Sequence, residues 1–313
     1  MRTLVFRLAI AVLALAAASC EKAADPLAEA KARCDDRAVE AAERASACTQ
    51  VLDGGKLQGP ERAVALTHRG EAQIASGATT PALRDFEAAR ALDSSNLDAA
   101  YGQASILIDS GQLDRAQPLV QQMVGAQYKL VQSQYMAGRI ALARGEYQNA
   151  ITAFDASLAQ DSGFAPALAL RGRAKESLGQ DADARADYDA AIARDASAAN
   201  ALAWRCWLKL RAKPIVDADA RPDAEAAVHA DPHVVEGQTC LGILNLRAGE
   251  WADAQSAFDA VLTFQPGNPV ALFGRGVARR RGGDDKGADD MNQAHEFDPH
   301  VREFFFALGV TTY

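Results

Sequence analysis

Small and apolar positions recur along this chain at a step of 34 residues, on pairs of helical segments. Between Gln132 and Ala196 the pattern is stated twice. Gly138 is followed by Ala150, Phe154 and Ser157, and then Gly172 by Ala184, Tyr188 and Ala191. A first rung of small residues runs Gly70, Ala104, Gly138, Gly172, Cys206, Gly242 and Gly276, with a single step of 36 after Cys206. A second runs Ala82, Ala116, Ala150, Ala184, Ala220, Ala254 and Ala288. Four residues further on stand Phe86, Val120, Phe154, Tyr188, Ala224, Phe258 and Asn292. Three rungs holding phase over residues 61–300 predict seven helical hairpins and one elongated array in place of two globular domains.

Turn chemistry keeps the same period. Thr80-Pro81 reads as a helix start, and Gly111, Gly145, Gly179, Gly249 and Gly283 fall between the two helices of successive copies. Asp231-Pro232, Gln265-Pro266 and Asp298-Pro299 stop one copy before the next. Two copies break the rule. Pro118 falls inside a predicted helix, and residues 212–221 hold two extra residues, so both predict local irregularity. In the seventh copy the large position holds Asn292, and the neighbouring Met291 can fill its gap.

The 34-residue period with these residue types resembles the tetratricopeptide repeat. The resemblance implies an all-α fold: an α-solenoid of stacked helix-turn-helix units coiled into a right-handed superhelix. In that family small residues let paired helices approach while one aromatic fills the gap between units, and the first helices line a concave groove. The Arg-Cys-Trp at 205–207, Arg-Gly at 69–70, 171–172 and 275–276, and the terminal Ala-Leu-Gly-Val resemble secreted tetratricopeptide proteins of Gram-negative bacteria.

Residues 1–19 read as a signal peptide, with Arg2 and Arg7 ahead of an apolar run from Leu8 to Ala18 that is too short to span a bilayer comfortably. Ala17-Ala18-Ser19-Cys20 resembles a bacterial lipobox, although Ala17 stands where leucine is commonest. That resemblance implies lipidation of Cys20, a membrane anchor, and, with Glu21 following, transfer to an outer membrane. Ordinary cleavage after the Ala16-Ala17-Ala18 run would give a soluble secreted protein instead. Lipidating one of five cysteines leaves four that can pair.

Residues 20–60 form a helical lead-in with a degenerate half-repeat, since Cys48 and Leu52 lie one step before Ala82 and Phe86. A helix is predicted over 37–52, capped by Asp35 or Asp36. A Cys34–Cys48 disulfide needs a fold-back, because one unbroken helix would put the two Cα atoms about 21 Å apart at about 1.5 Å per residue. Cys206 and Cys240 fall on neighbouring first helices, either as a disulfide or as two buried thiols. Residues 301–313, with Phe304-Phe305-Phe306, are too apolar to leave bare and predict a capping helix; contact with a partner is the alternative.

A net charge of −8 provides no electrostatic footprint for nucleic acid. No metalloprotease, nucleophile-elbow or Walker signature occurs, so neither an enzyme nor a cofactor is expected. Gly274-Arg275-Gly276 lies on a repeat helix, where its glycines pack. His229, Asp231 and His233 straddle a proline-stopped helix end and would diverge, so no metal is expected.

Projecting from the first rung places Tyr101, Tyr135, Trp207 and Phe273 on the groove, with Arg139, Arg173, Arg211, Arg247, Arg280, Arg281 and Glu176. Aromatic and Arg side chains anchor interfaces, and the Arg surplus favours an acidic or C-terminal peptide as partner. The family's two-carboxylate clamp needs Lys and Asn where this chain has Ala169, Arg173, Ala203 and Trp207. The expected function is a non-enzymatic interaction scaffold of the cell envelope. The competing reading is a polysaccharide- or peptidoglycan-binding accessory subunit that stacks Tyr101, Tyr135, Trp207 and Phe273 on sugar rings.

Overall fold

The computed structural model describes residues 25–212 and 217–310. Residues 1–24, with the signal segment and Cys20, lie outside it, as do Pro214 and its neighbours. The described residues form seventeen helices and no strand. They are α1 (Pro26–Asp35), α2 (Ala41–Asp53), α3 (Gly59–Ala75), α4 (Thr79–Leu92), α5 (Leu97–Asp109), α6 (Leu113–Gly125), α7 (Leu130–Ala143), α8 (Tyr147–Gln160) and α9 (Ala165–Ser177). Then follow α10 (Asp181–Arg194), α11 (Ala199–Arg211), α12 (Asp217–Ala230), α13 (Val235–Ala248), α14 (Trp251–Phe264), α15 (Pro269–Arg281), α16 (Gly287–Phe297) and α17 (Val301–Ala307). They fall into two compact units, the chain dividing between Leu119 and Val120. Within each unit, α1, α3, α7, α9, α11, α13 and α15 pack against the even-numbered helix that follows and against the next odd-numbered one.

Six hairpin turns use a glycine where the backbone turns left-handed. Gly145 has φ +74°, a left-handed conformation that costs a side chain energy but glycine nothing. Its N–H donates to Leu142 O at 3.0 Å and the N–H of Glu146 to Ala141 O at 2.9 Å, which satisfies the last carbonyls of α7. The same pair of bonds recurs at Gly77, Gly111, Gly179, Gly249 and Gly283. Between hairpins, Asp93, Asp161, Asp195, Asp231 and Asp298 each accept from the backbone N–H two residues on, which folds the connecting loop.

Packing at the joints follows the rungs. In the first unit the Phe86 ring is fully buried. A Cβ added at Gly70 of α3 would stand 2.8 Å from that ring, and one at Gly102 of α5 would run into it. Phe258 of the second unit is held the same way by Gly242 of α13 and Gly274 of α15. Phe154 abuts Gly138, and Tyr188 abuts Gly172. The place sixteen residues after Phe86, Tyr188 and Phe258, namely Gly102, Trp204 and Gly274, is thus the far wall of each gap.

Four expectations shift. The predicted 37–52 helix starts at Ala41, and its cap is Glu40, whose carboxylate accepts from Ala42 and Glu43. Asp36 instead accepts from Ala38 in the turn. In the last hairpin the rungs fall on Gly287 and Met291, both buried, while Asn292 is exposed and Ala288 only half-buried. Finally, α6 runs unbroken through Pro118, as α12 does through Pro222. The irregularity appears just after α6, where Gln127 and Lys129 take positive φ of 52° and 41° without being glycine.

Both cysteine pairs form disulfides. The turn between α1 and α2 is the fold-back that brings Cys34 and Cys48 to a Cα separation of 4.7 Å. Cys206 of α11 and Cys240 of α13 join at 6.6 Å. At the C-terminus α17 buries Val301 and Phe305 completely.

Candidate functional site

The polar framework comes first, because it decides which charged residues are spoken for. Arg69, Arg171, Arg205 and Arg275, each one residue before a first-rung position, grip the carboxylates of Asp85, Asp187, Asp223 and Asp290 on the following helix with two hydrogen bonds apiece. Arg171, Arg205 and Arg275 also reach back to Asp155, Asp189 and Asp259 of the preceding hairpin, at 2.6, 2.6 and 2.9 Å. The hydrogen bonds to the buried aspartates raise these guanidinium pKa values above their ordinary value, against the opposing effect of burial. Lys175, Lys209 and Arg279 add a second cation to Asp187, Asp223 and Asp290. This ladder is structural: planar forks lock neighbouring hairpins in register.

On the face of the first helices in the second unit, the projected residues meet different fates. Tyr135 of α7 is half-buried, edge-on to Phe164 at 5.2 Å, with Arg139 over its ring at 5.9 Å. On α9, Arg173 lies over the Trp204 ring at 5.5 Å and donates to Glu176 at 3.0 Å. Arg211 of α11 donates to the same carboxylate at 2.8 Å. Burial, and then the neighbouring Glu176, pushes the Tyr188 hydroxyl well above its ordinary pKa, so it stays protonated and donates to Glu176 at 2.8 Å. Glu176 is only 7% exposed, whereas Arg173 and Arg211 keep 39% and 44% of their side chains in solvent. Two half-exposed guanidinium groups are therefore oriented by one buried acid.

The arginines projected five residues past the rung act as braces between hairpins. Arg211 lies 3.8 Å from Asp181, and Arg247 lies 2.8 Å from Asp217. Arg281 lies over the Trp251 ring at 5.9 Å. Asp181, Asp217 and Trp251 are each the first residue of a second helix. Arg280 is exposed on α15. In the first unit, Tyr101 is half-buried on α5.

Two aromatics leave the groove set. Phe273 is 2% exposed and packs on Phe305 at 5.0 Å, because α17 folds over it. Trp207 donates its indole N–H to Glu236 O at 3.1 Å and meets Phe304 of α17 at 5.9 Å. The terminal helix thus reaches past the last hairpin to α11, and only Phe306 of its three phenylalanines is exposed.

The other clusters do not form sites. His233 packs edge-on against Phe264 at 4.5 Å while its backbone N–H binds Asp231, so these groups serve the loop. Cys34, Asp35 and His68 lie close together, yet the Cys34 sulfur is committed to a disulfide and His68 Nδ1 is bonded to Asp35 at 3.0 Å. No described helix is long and apolar enough to cross a membrane.

Comparison with known proteins agrees with this architecture. The sequence profile of the tetratricopeptide repeat matches residues 101–166, 218–269 and 241–300. The crystal structure of a tetratricopeptide repeat protein from Parabacteroides merdae is similar over 86% of this chain and 98% of its own, with a TM-score of 0.62 and 14% identity. A chain of the APC/C hetero-tetramer Cut9-Hcn1 is similar over 86% of this chain and 56% of its own, with a TM-score of 0.58 and 15% identity. At those identities the likeness concerns the fold alone. A search of curated proteins by sequence found no match. By its matched repeats, its 34-residue phase and its stacked hairpins, the chain carries tetratricopeptide repeats over residues 101–166 and 218–300 and has the fold of tetratricopeptide-repeat proteins.

Proposed function

We propose that this protein is a non-enzymatic scaffold of the bacterial cell envelope, exported by its N-terminal segment and holding a partner protein on the first-helix face of its second unit. The repeat fold supports an interaction role, since such arrays are typically protein-protein scaffolds. The observation that carries the assignment to a face is the pair Arg173 and Arg211, fixed by Glu176 with their outer edges in solvent. Guanidinium groups whose orientation is already set lose little entropy on meeting a carboxylate, so an extended acidic segment of a partner suits them. Lipidation at Cys20 would tether the array to a membrane, and the outer membrane is the destination that Glu21 favours.

The sugar-stacking alternative is less well supported, because Phe273 is buried and both the N–H and the ring of Trp207 are engaged internally. The test is in-cell crosslinking from a photoreactive residue at position 139 or 173, with position 185 on α10 as control. Products confined to 139 and 173, with those from 139 lost when Arg173 and Arg211 are reversed to Glu, support the reading. Products unaffected by that reversal, or a residue 20 without a lipid by mass spectrometry, remove the acidic-segment and anchor parts respectively.

A further inference from the structure

At most joints of the second unit a large side chain stands between two walls. Tyr188 sits between Gly172 and Trp204, and Phe258 between Gly242 and Gly274. The fifth joint has the same three positions with different contents. Cys206 takes the place of Gly172 or Gly242, and Cys240, sixteen residues after Ala224, takes the place of Trp204 or Gly274. The central position is Ala224, which cannot fill the gap. All three residues are completely buried in one apolar cluster, and the two sulfurs are bonded. The walls have grown inward where the ring is missing.

We infer that Cys206–Cys240 is a redox-set joint: oxidised, the bond ties α11 to α13 across a gap that no ring fills, and reduced, the tie is lost and these helices loosen. The bond forms by exchange with a small-molecule disulfide. The Cys206 thiolate attacks one sulfur of the reagent and releases one thiolate. The Cys240 thiolate then displaces the second, so two protein thiols are oxidised, one disulfide is reduced to two thiols, and the two protons pass to the released thiolates. Trp207 bonds to Glu236 across this same joint, and Arg211 lies at the end of α11, so the partner-facing surface there is complete only in oxidising surroundings. Cys34–Cys48 has no such role, because it closes a single hairpin of the first unit. The inference does not depend on where the protein resides.

Hydrogen exchange on the full chain, oxidised and after reduction verified by thiol titration, tests it. Reduction should speed exchange at least about tenfold across residues 199–248 while leaving 130–177 unchanged. The triple variant Cys206→Gly, Ala224→Phe, Cys240→Gly rebuilds the Gly242–Phe258–Gly274 arrangement and should stay protected in reductant. The pair Cys206→Ala, Cys240→Ala should reproduce the reduced pattern without any reductant, which keeps the test decisive if the triple variant does not fold. Residues 199–248 equally protected in both redox states, or an alanine pair as protected as the oxidised protein, would overturn the inference.

Discussion

The fourth and fifth joints of the array solve one packing problem by two routes. In the fourth, Tyr188 fills the gap between Gly172 and Trp204, and its hydroxyl anchors Glu176. In the fifth, Ala224 leaves the gap without a ring and a disulfide ties the helices across it. Ring burial stabilises by removing apolar area from water and by dispersion contacts, which operate in any compartment. A disulfide acts largely by limiting the unfolded chain and survives only where thiols are oxidised. The polar ladder is the same at both joints, Arg171 with Asp187 and Arg205 with Asp223, so what separates them is how the gap is filled.

The comparison can be broken most severely at an aromatic joint. Phe154→Ala deletes a fully buried ring beside Gly138 and should cost about 3–5 kcal/mol in chemical denaturation. Removing the fifth joint's bond with Cys206→Ala and Cys240→Ala should cost about 2–4 kcal/mol under oxidising conditions. Under reduction that difference from the parent should vanish. Gly172→Ala is smaller in volume but has little room, since its Cβ would stand 2.6 Å from the Tyr188 ring and 3.1 Å from Ala184 O. A loss of about 1–3 kcal/mol is expected, where the same change at Gly125, with nothing within 4 Å, should not destabilise. The smallest effect belongs to Arg211→Ala, whose half-exposed ion pair with Glu176 should contribute under about 1 kcal/mol to stability while weakening partner capture.

Much of this was legible because tight packing repeats at fixed phase. Gly70, Gly138, Gly172 and Gly242 stand out as small residues where a ring must fit, and the turn glycines mark each hairpin. The last copy slips by one because its hairpin is a residue shorter, so buried Met291 replaces Asn292. The Arg–Asp ladder was not legible, since arginines and aspartates at such spacings look like ordinary surface charges; the Arg-Gly recurrence with an aspartate fifteen or sixteen residues on was its signal. The arginine partners were missed for the same reason: Glu176 meets Arg211 across 35 residues of sequence. Phe304 reaching Trp207 bears no relation to the repeat period, so only coordinates reveal that the C-terminal helix takes up part of the expected groove.

The claim beneath these predictions is that an aromatic joint is a small residue fitted to a large one, and a double-mutant cycle on Gly138 and Phe154 measures that fit directly. Gly138→Ala should be costly beside the native ring and tolerated in Phe154→Leu, giving a coupling of about 1 kcal/mol or more. Costs that add to within about 0.3 kcal/mol would show that the two residues do not share a gap and would contradict the account.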